Sequence, residues 1–250
     1  MQLQEVSKEV WRYNYKAPKE KKLTDTWERQ AKAAASVENP SKKQQIYEDF
    51  LWLLTDFHGI AGGRITANLG VEGREATTLF NCYVHNPADI GYKDVDSIHG
   101  IYDMLKAQAL TLKSEGGYGM NFSWIRPAGM YVAGIGSRTP GVLAFMELWE
   151  ISSKTITRGS EKIIDYIREG EKKKIRKGAQ MGILEIWHPE IEDFIEAKLT
   201  KGRLEKFNLS VGITDGFINA VINDEMWELV FPDTKNEKYE TEWHGNIDEW

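Results

Sequence analysis

The sequence predicts an α/β fold in which a helical N-terminal region, residues 1–75, precedes alternating strands and helices over residues 76–250. Three observations predict it. From residue 79 onward, short apolar runs alternate with amphipathic stretches, the pattern of a mostly parallel sheet of about five strands with helical crossovers. Two stretches with apolar stripes at helical spacing come before. Between these parts lies Gly59 to Gly73, an irregular connection rich in glycine.

Composition narrows the function classes. The 250 residues suit one large domain or a pair of small ones, and 41% hydrophobic content is that of a globular chain. No apolar run reaches the ~20 residues of a membrane span, and Met1-Gln2-Leu3-Gln4-Glu5 lacks the pattern of a secretory signal, so no membrane is expected. A formal net charge of −6 argues against a nucleic-acid binder. The single cysteine excludes an internal disulfide and fits a reducing cytoplasm.

Residues 1–20 are weakly patterned, with Trp11, Tyr13 and Tyr15 alternating as in a short extended arm. Thr24 or Asp25 is the expected cap of a helix that runs through Ala35 and stops at Asn39-Pro40. Ser41 opens a second helix whose apolar face is Ile46, Phe50, Leu53, Leu54 and Phe57. Leu79 to Val84 then reads as a buried strand ended by Asn86-Pro87, with Cys82 near its C-terminal end, where open α/β sheets put their chemistry. Two readings of Cys82 stand here: a small core hydrophobe, or a reactive thiol.

Asp94 to Glu115 reads as a long helix with Asp96 as N-cap and Ile98, Ile101, Leu105, Ala109 and Leu112 as its buried stripe. Gly116-Gly117 stops it. The following Gly117-Tyr118-Gly119 is a tight turn or a place of close backbone approach to a ligand. After the loop from Trp124 to Ser137, Thr139-Pro140 predicts a helix start with Thr as N-cap and Pro at the first position. Ser160 to Gly170 reads as a short extra helix. The basic run Lys172 to Lys177 is a solvated loop or a charged ligand edge. Met181 to Ile186 is a strand. His188-Pro189 begins a helix with Ile191, Phe194 and Ile195 inward. Phe207 to Ile213 alternates cleanly, Asp215 caps a further helix, and Trp227 to Phe231 is the expected last strand. The five histidines show no metal-ligand spacing.

Taken together, several motifs carry a resemblance. They are Asn81-Cys82-Tyr83-Val84, Asp96-Ser97-Ile98, Gly116-Gly117-Tyr118-Gly119-Met120-Asn121, Ile125-Arg126-Pro127-Ala128-Gly129, Arg176-Lys177-Gly178-Ala179-Gln180-Met181, His188-Pro189-Glu190-Ile191-Glu192-Asp193-Phe194 and Asn208-Leu209-Ser210-Val211. In this order they resemble the large, catalytic subunit of ribonucleotide reductase over roughly residues 22–235. Gly62-Gly63-Arg64-Ile65, ahead of Leu79-Phe80-Asn81-Cys82, is most similar to the adenosylcobalamin-dependent (class II) branch.

The resemblance implies the first half of a ten-stranded α/β barrel, with no room before it for an ATP-binding cone domain. It implies reduction of ribonucleotides by thiyl-radical chemistry, with Cys82 as one member of the redox cysteine pair. Asn81 and Gly117 fall at substrate-contact positions. Asp96, Arg126 and Val132 fall at the effector nucleotide, a nucleoside triphosphate. Arg176, Lys177, Gly178, Ala179 and Gln180 match the specificity loop. Adenosylcobalamin is the implied cofactor, and a thioredoxin-like protein the implied reductant. Homodimerisation is left open. The remaining catalytic cysteines of the family have no counterpart here, so activity is expected to need a missing C-terminal half. An inactive fragment that binds nucleotide or a partner subunit is the alternative. The expected location is the cytoplasm, a host's if the gene is a phage's.

Overall fold

In a computed structural model, residues 3–87, 95–132, 135–163, 179–233, 238, 241 and 242 are described, with side chains only to Thr157 in the helix that ends at Ile163. The chain divides into two compact units. One holds Met1–Asn81, Ser114–Gly116 and Gly159–Lys177; the other holds Cys82–Lys113, Gly117–Arg158 and Gly178–Trp250.

The first unit is helical: α1 Glu5–Asn14, α2 Leu23–Ala35, α3 Lys43–Leu54 and the short α4 Gly63–Asn68. The expected extended arm is instead α1. Helical spacing carries Val6, Val10 and Trp11 along adjoining turns, and the Trp11 indole N–H donates to Thr26 Oγ1 at 2.8 Å. Neither Thr24 nor Asp25 is the N-cap of α2. Lys22 holds that position, and Asp25 accepts the N–H groups of Lys21 and Lys22 from inside the first turn, at 2.7 and 3.1 Å. Those hydrogen bonds hold its carboxyl below the usual range.

Arg29 ties this unit together. Its Nε donates to Glu20 at 2.6 Å and its other nitrogens to the carbonyls of Thr66 and Leu69. Glu20 is buried and Arg29 largely so, and breaking such a pair costs more than breaking an exposed one. Gly70 turns with φ +71°, and a Cβ there would meet Ala33 at 2.8 Å. The apolar face predicted for α3 is only partly covered: Leu54 is buried, but Phe50 and Leu53 are exposed.

The second unit is a parallel sheet in the order β1-β2-β5-β6. Its strands are β1 Cys82–His85, β2 Gly117–Asn121, β5 Gln180–Glu185 and β6 Phe207–Gly212; β3 Tyr131–Val132 and β4 Ser137–Arg138 form a separate antiparallel pair. The helices are α5 Ile98–Lys113, α6 Val142–Ile163, α7 Ile191–Glu196 and α8 Asp215–Asn223. The parallel α/β architecture is as expected, and among the described residues its sheet has four strands. Trp227 to Phe231 is not a strand among the described residues. Trp227 packs on Phe217 and Phe231 on His188, and Val230 N–H donates to Trp187 O at 2.8 Å, so ring contacts hold this segment without a ladder.

The core lies between the sheet and α5, α6 and α7. Phe122 meets Trp149 of α6 edge-on at 5.3 Å and Phe207 of β6 at 5.9 Å. The buried stripe of α5 is Ile101, Met104, Gln108 and Leu112, with Ile98 exposed. Helix starts differ from expectation. Ser97, not Asp96, caps α5 by accepting Gly100 N–H at 3.1 Å. Thr214, not Asp215, caps α8 by accepting Phe217 N–H. α6 begins at Val142, past Gly141 at φ +88°, so Pro140 is not its first residue, and Ser160–Ile163 continue α6. α7 begins at Ile191, beyond Pro189, and Ile195 is exposed.

Candidate functional site

The two faces of the sheet differ. Tyr118 and Met120 of β2, Leu184 of β5 and Phe207 of β6 are buried under the helices. Because side chains alternate and the strands are in parallel register, the intervening residues share the opposite face. There Cys82 pairs with Gly117, and Val84, Gly119, Met181 and Asn208 form the next row. Val84 is 85% exposed and Met181 41%. Parallel sheets are ordinarily covered on both faces, so an open face is where a ligand or further chain is received.

Cys82 is exposed and is the first residue of β1. This corrects three expectations: the strand is not buried, it does not begin at Leu79, and Cys82 sits at its amino end. The preceding residues Leu79 and Phe80 are themselves exposed, so they give no apolar pairing that would extend the strand. Gly117 lies beside Cys82 and adds no side chain to that spot. Asn81, the covalent neighbour of Cys82, is exposed; a Cβ on Gly62 would lie 3.8 Å from its Nδ2, so α4 begins next to it. The core-hydrophobe reading of the thiol is excluded by its exposure.

Asp96, Arg126 and the hairpin strand holding Val132 come together. Arg126 Nε and its backbone N–H both donate to the Asp96 carboxylate, and its Nη1 reaches Tyr131 O at 3.5 Å, next to Val132. The Arg126 guanidinium, expected at the effector nucleotide, is thus held by Asp96, and the two side chains form one positioned unit. Of the expected specificity loop, Arg176, Lys177 and Gly178 lie outside the described residues. Ala179 O accepts Tyr118 N–H at 3.0 Å. Gln180 is a core residue: it starts β5, is 1% exposed, and accepts Gln108 Nε2–H at 2.6 Å.

A further polar group escaped the sequence reading. At the carboxyl ends of β2 and β5, Asn121 Nδ2 donates to Glu185 Oε1 at 2.8 Å. Ser123 Oγ donates to Asn121 Oδ1 and accepts Glu185 N–H. Gly212 of β6 makes room, since a Cβ there would lie 2.2 Å from a Glu185 oxygen. The available signal was polar residues in alternate positions of otherwise apolar strands. Among the described residues no cluster of His, Cys, Asp or Glu could hold a metal ion, and no helix is long and apolar enough to cross a membrane.

Comparison with known proteins bears on this geometry. A family model described as "Ribonucleotide reductase, barrel domain" matches residues 80–249. A vitamin B12-dependent ribonucleoside-diphosphate reductase of Thermoplasma acidophilum is 38% identical over 141 residues, covering 56% of this chain and 16% of that protein. One of Mycobacterium tuberculosis is 30% identical over 211 residues, 83% of this chain and 27% of that protein. The ribonucleoside-diphosphate reductase large chain of Schizosaccharomyces pombe is 31% identical over 164 residues, 62% of this chain and 18% of that protein. The chain therefore spans between 16% and 27% of the length of these relatives.

Proposed function

The chain belongs to the ribonucleotide reductase barrel-domain family, and from that premise we propose that it is the N-terminal part of an enzyme reducing ribonucleotides to deoxyribonucleotides. Residues 1–75 serve as the helical region and 76–250 as an incomplete half-barrel. The observation that carries the reading is Cys82, the sole cysteine, exposed beside Gly117 on the uncovered sheet face.

In this reading Cys82 and a second thiol from the remaining part of the reductase deliver two electrons to the ribose. The 2′-hydroxyl leaves as water, carbon takes hydrogen in its place, and the two thiols become a disulfide. A thiyl radical, also from the remaining part, opens the reaction by taking the 3′-hydrogen and returns it at the end. Asn81 and the Gly117 backbone position the substrate. The Asp96–Arg126 unit and Val132 receive a nucleoside triphosphate effector, and residues 176–179 carry its identity to the substrate base, with Gln180 anchoring that segment in the core through Gln108. A thioredoxin-like protein restores the dithiol in the cytoplasm, and a homodimer is a compatible assembly.

Adenosylcobalamin is the proposed cofactor, supported by the names of the Thermoplasma and Mycobacterium relatives. It supplies the first radical when bound. The sheet face beside Cys82 is open, with Val84 and Met181 exposed, so the described residues do not by themselves enclose a bound group there.

The second reading is an inactive nucleotide- or subunit-binding fragment, favoured by the lone thiol, which has no partner in this sequence for a disulfide. Dithiothreitol-driven deoxynucleotide formation, measured on this chain mixed with the remaining part, separates the two. Wild type should turn over and Cys82→Ser should fall to background. Because Cys82 is exposed, Cys82→Ser should change stability by no more than about 0.5 kcal/mol. Turnover by Cys82→Ser equal to wild type would end the redox assignment.

A further inference from the structure

The helical unit contains a cavity of about 760 Å³, bounded by α1, α2, the end of α3 and the segment through Thr66. Trp11, Trp27, Leu54 and Phe57 are among its walls, and Trp27 and Phe57 meet edge-on at 5.4 Å. No Lys, Arg, Asp or Glu lines it among the described residues. Its size is that of a small-molecule site.

Gln30 is the second observation. It lines the cavity and is 3% exposed. Its Nε2 donates to Thr26 O at 3.3 Å, but its Oε1 has no partner among the described residues. The neighbouring Thr26 hydroxyl cannot serve it, since that group takes the Trp11 N–H and donates to Glu20 at 2.7 Å. A buried acceptor left unmade costs more than a bond formed there gains.

We propose that this cavity binds a small, neutral, largely aromatic molecule that donates an N–H or O–H to Gln30 Oε1. Aromatic walls favour a flat ring. The absence of a lining cation argues against a phosphate or carboxylate, because burying an unpaired anion is expensive. The inference stands apart from the reductase reading, since none of the residues placed around Cys82 takes part.

The test is isothermal titration of the full 250-residue chain with indole, 1-methylindole and indole-3-acetate. Indole should bind saturably. 1-Methylindole, which lacks the donor, should bind about tenfold more weakly, and the carboxylate of indole-3-acetate should weaken binding as well. Gln30→Met should abolish the preference for indole over 1-methylindole. Ala61→Phe, at a half-buried lining residue, should block both. No saturable binding up to the solubility limit, equal binding of indole and 1-methylindole by the wild type, or full binding by Ala61→Phe would each overturn the proposal.

Discussion

The carboxylate of Glu190 accepts the backbone N–H of Val142 at 2.8 Å across 48 residues of sequence. The same oxygen accepts Ala128 N–H at 3.1 Å. A helix leaves its first N–H groups without intrahelical partners, and here the start of α6 is satisfied by a side chain from the loop before α7. Gly141 admits it, because a Cβ there would lie 2.6 Å from the same oxygen.

Glu190→Ala should therefore destabilise the chain by about 2–3 kcal/mol, as two backbone donors lose their acceptor. Glu190→Gln keeps one acceptor oxygen and should cost less than half as much. Urea midpoints of the three proteins check this. Equal stability of Glu190→Ala and wild type would refute the capping role.

Acid should destabilise the protein through His188. The ring is buried, its Nε2–H donates to Ile125 O at 3.0 Å, and its Nδ1 accepts Glu190 N–H at 3.1 Å. Burial pushes its pKa from 6.5 down to about 4, against the smaller opposing effect of the Ile125 bond. The unfolded chain thus takes up the proton first. The stability from neutral His188 is present above pH 6.5 and is lost as pH falls toward 4, up to about 3 kcal/mol. Glu190 acts with the opposite sign, since burial raises its carboxyl: its contribution is present below 4.5 and is lost as pH rises through the raised value. Denaturation of wild type and His188→Asn across this range should give a flatter profile for the variant, and parallel profiles would refute the assignment.

Two glycines on adjacent strands should respond oppositely to alanine. A Cβ on Gly182 would meet Met146 at 2.7 Å and Phe207 at 3.3 Å inside the core, so Gly182→Ala should cost about 1–3 kcal/mol. A Cβ on Gly119 would find only ordinary contacts, 3.7 Å to Tyr83 O and 4.0 Å to Met181 Cβ. Gly119→Ala should be neutral or stabilising by up to about 1 kcal/mol. Thermal melts that rank the two the other way would contradict the assignment of sheet faces.

The isolated chain should self-associate. Among the described residues β1 and β6 are the sheet's edges, the face holding Cys82 is open, and Val221 and Ile222 of α8 are 60% and 74% exposed. Such edges and apolar surfaces pair with other chains. Sedimentation velocity should report a weight-average mass that grows with concentration. A constant monomer mass would speak for a self-sufficient module.

By itself the sequence determined the α/β class, the family and the run of α5, α6, β5, α7, β6 and α8. Those rest on local signals. Phe207, Leu209 and Val211 alternate with Asn208 and Ser210, and the motifs from Asn81 to Val211 stand in a fixed order. Tertiary structure decided everything that depends on a partner distant in the chain. It made a helix of the segment around Trp11, whose indole bonds to Thr26, and left Trp227 to Phe231 without a ladder. It closed Arg126 onto Asp96 and brought Glu190 to the start of α6. It put Cys82 at the exposed amino end of β1, beside Gly117. The physical reason is the same each time: periodicity reports which residues share a face, while hydrogen bonds and packing across tens of residues decide which face is covered and which end of a strand is open.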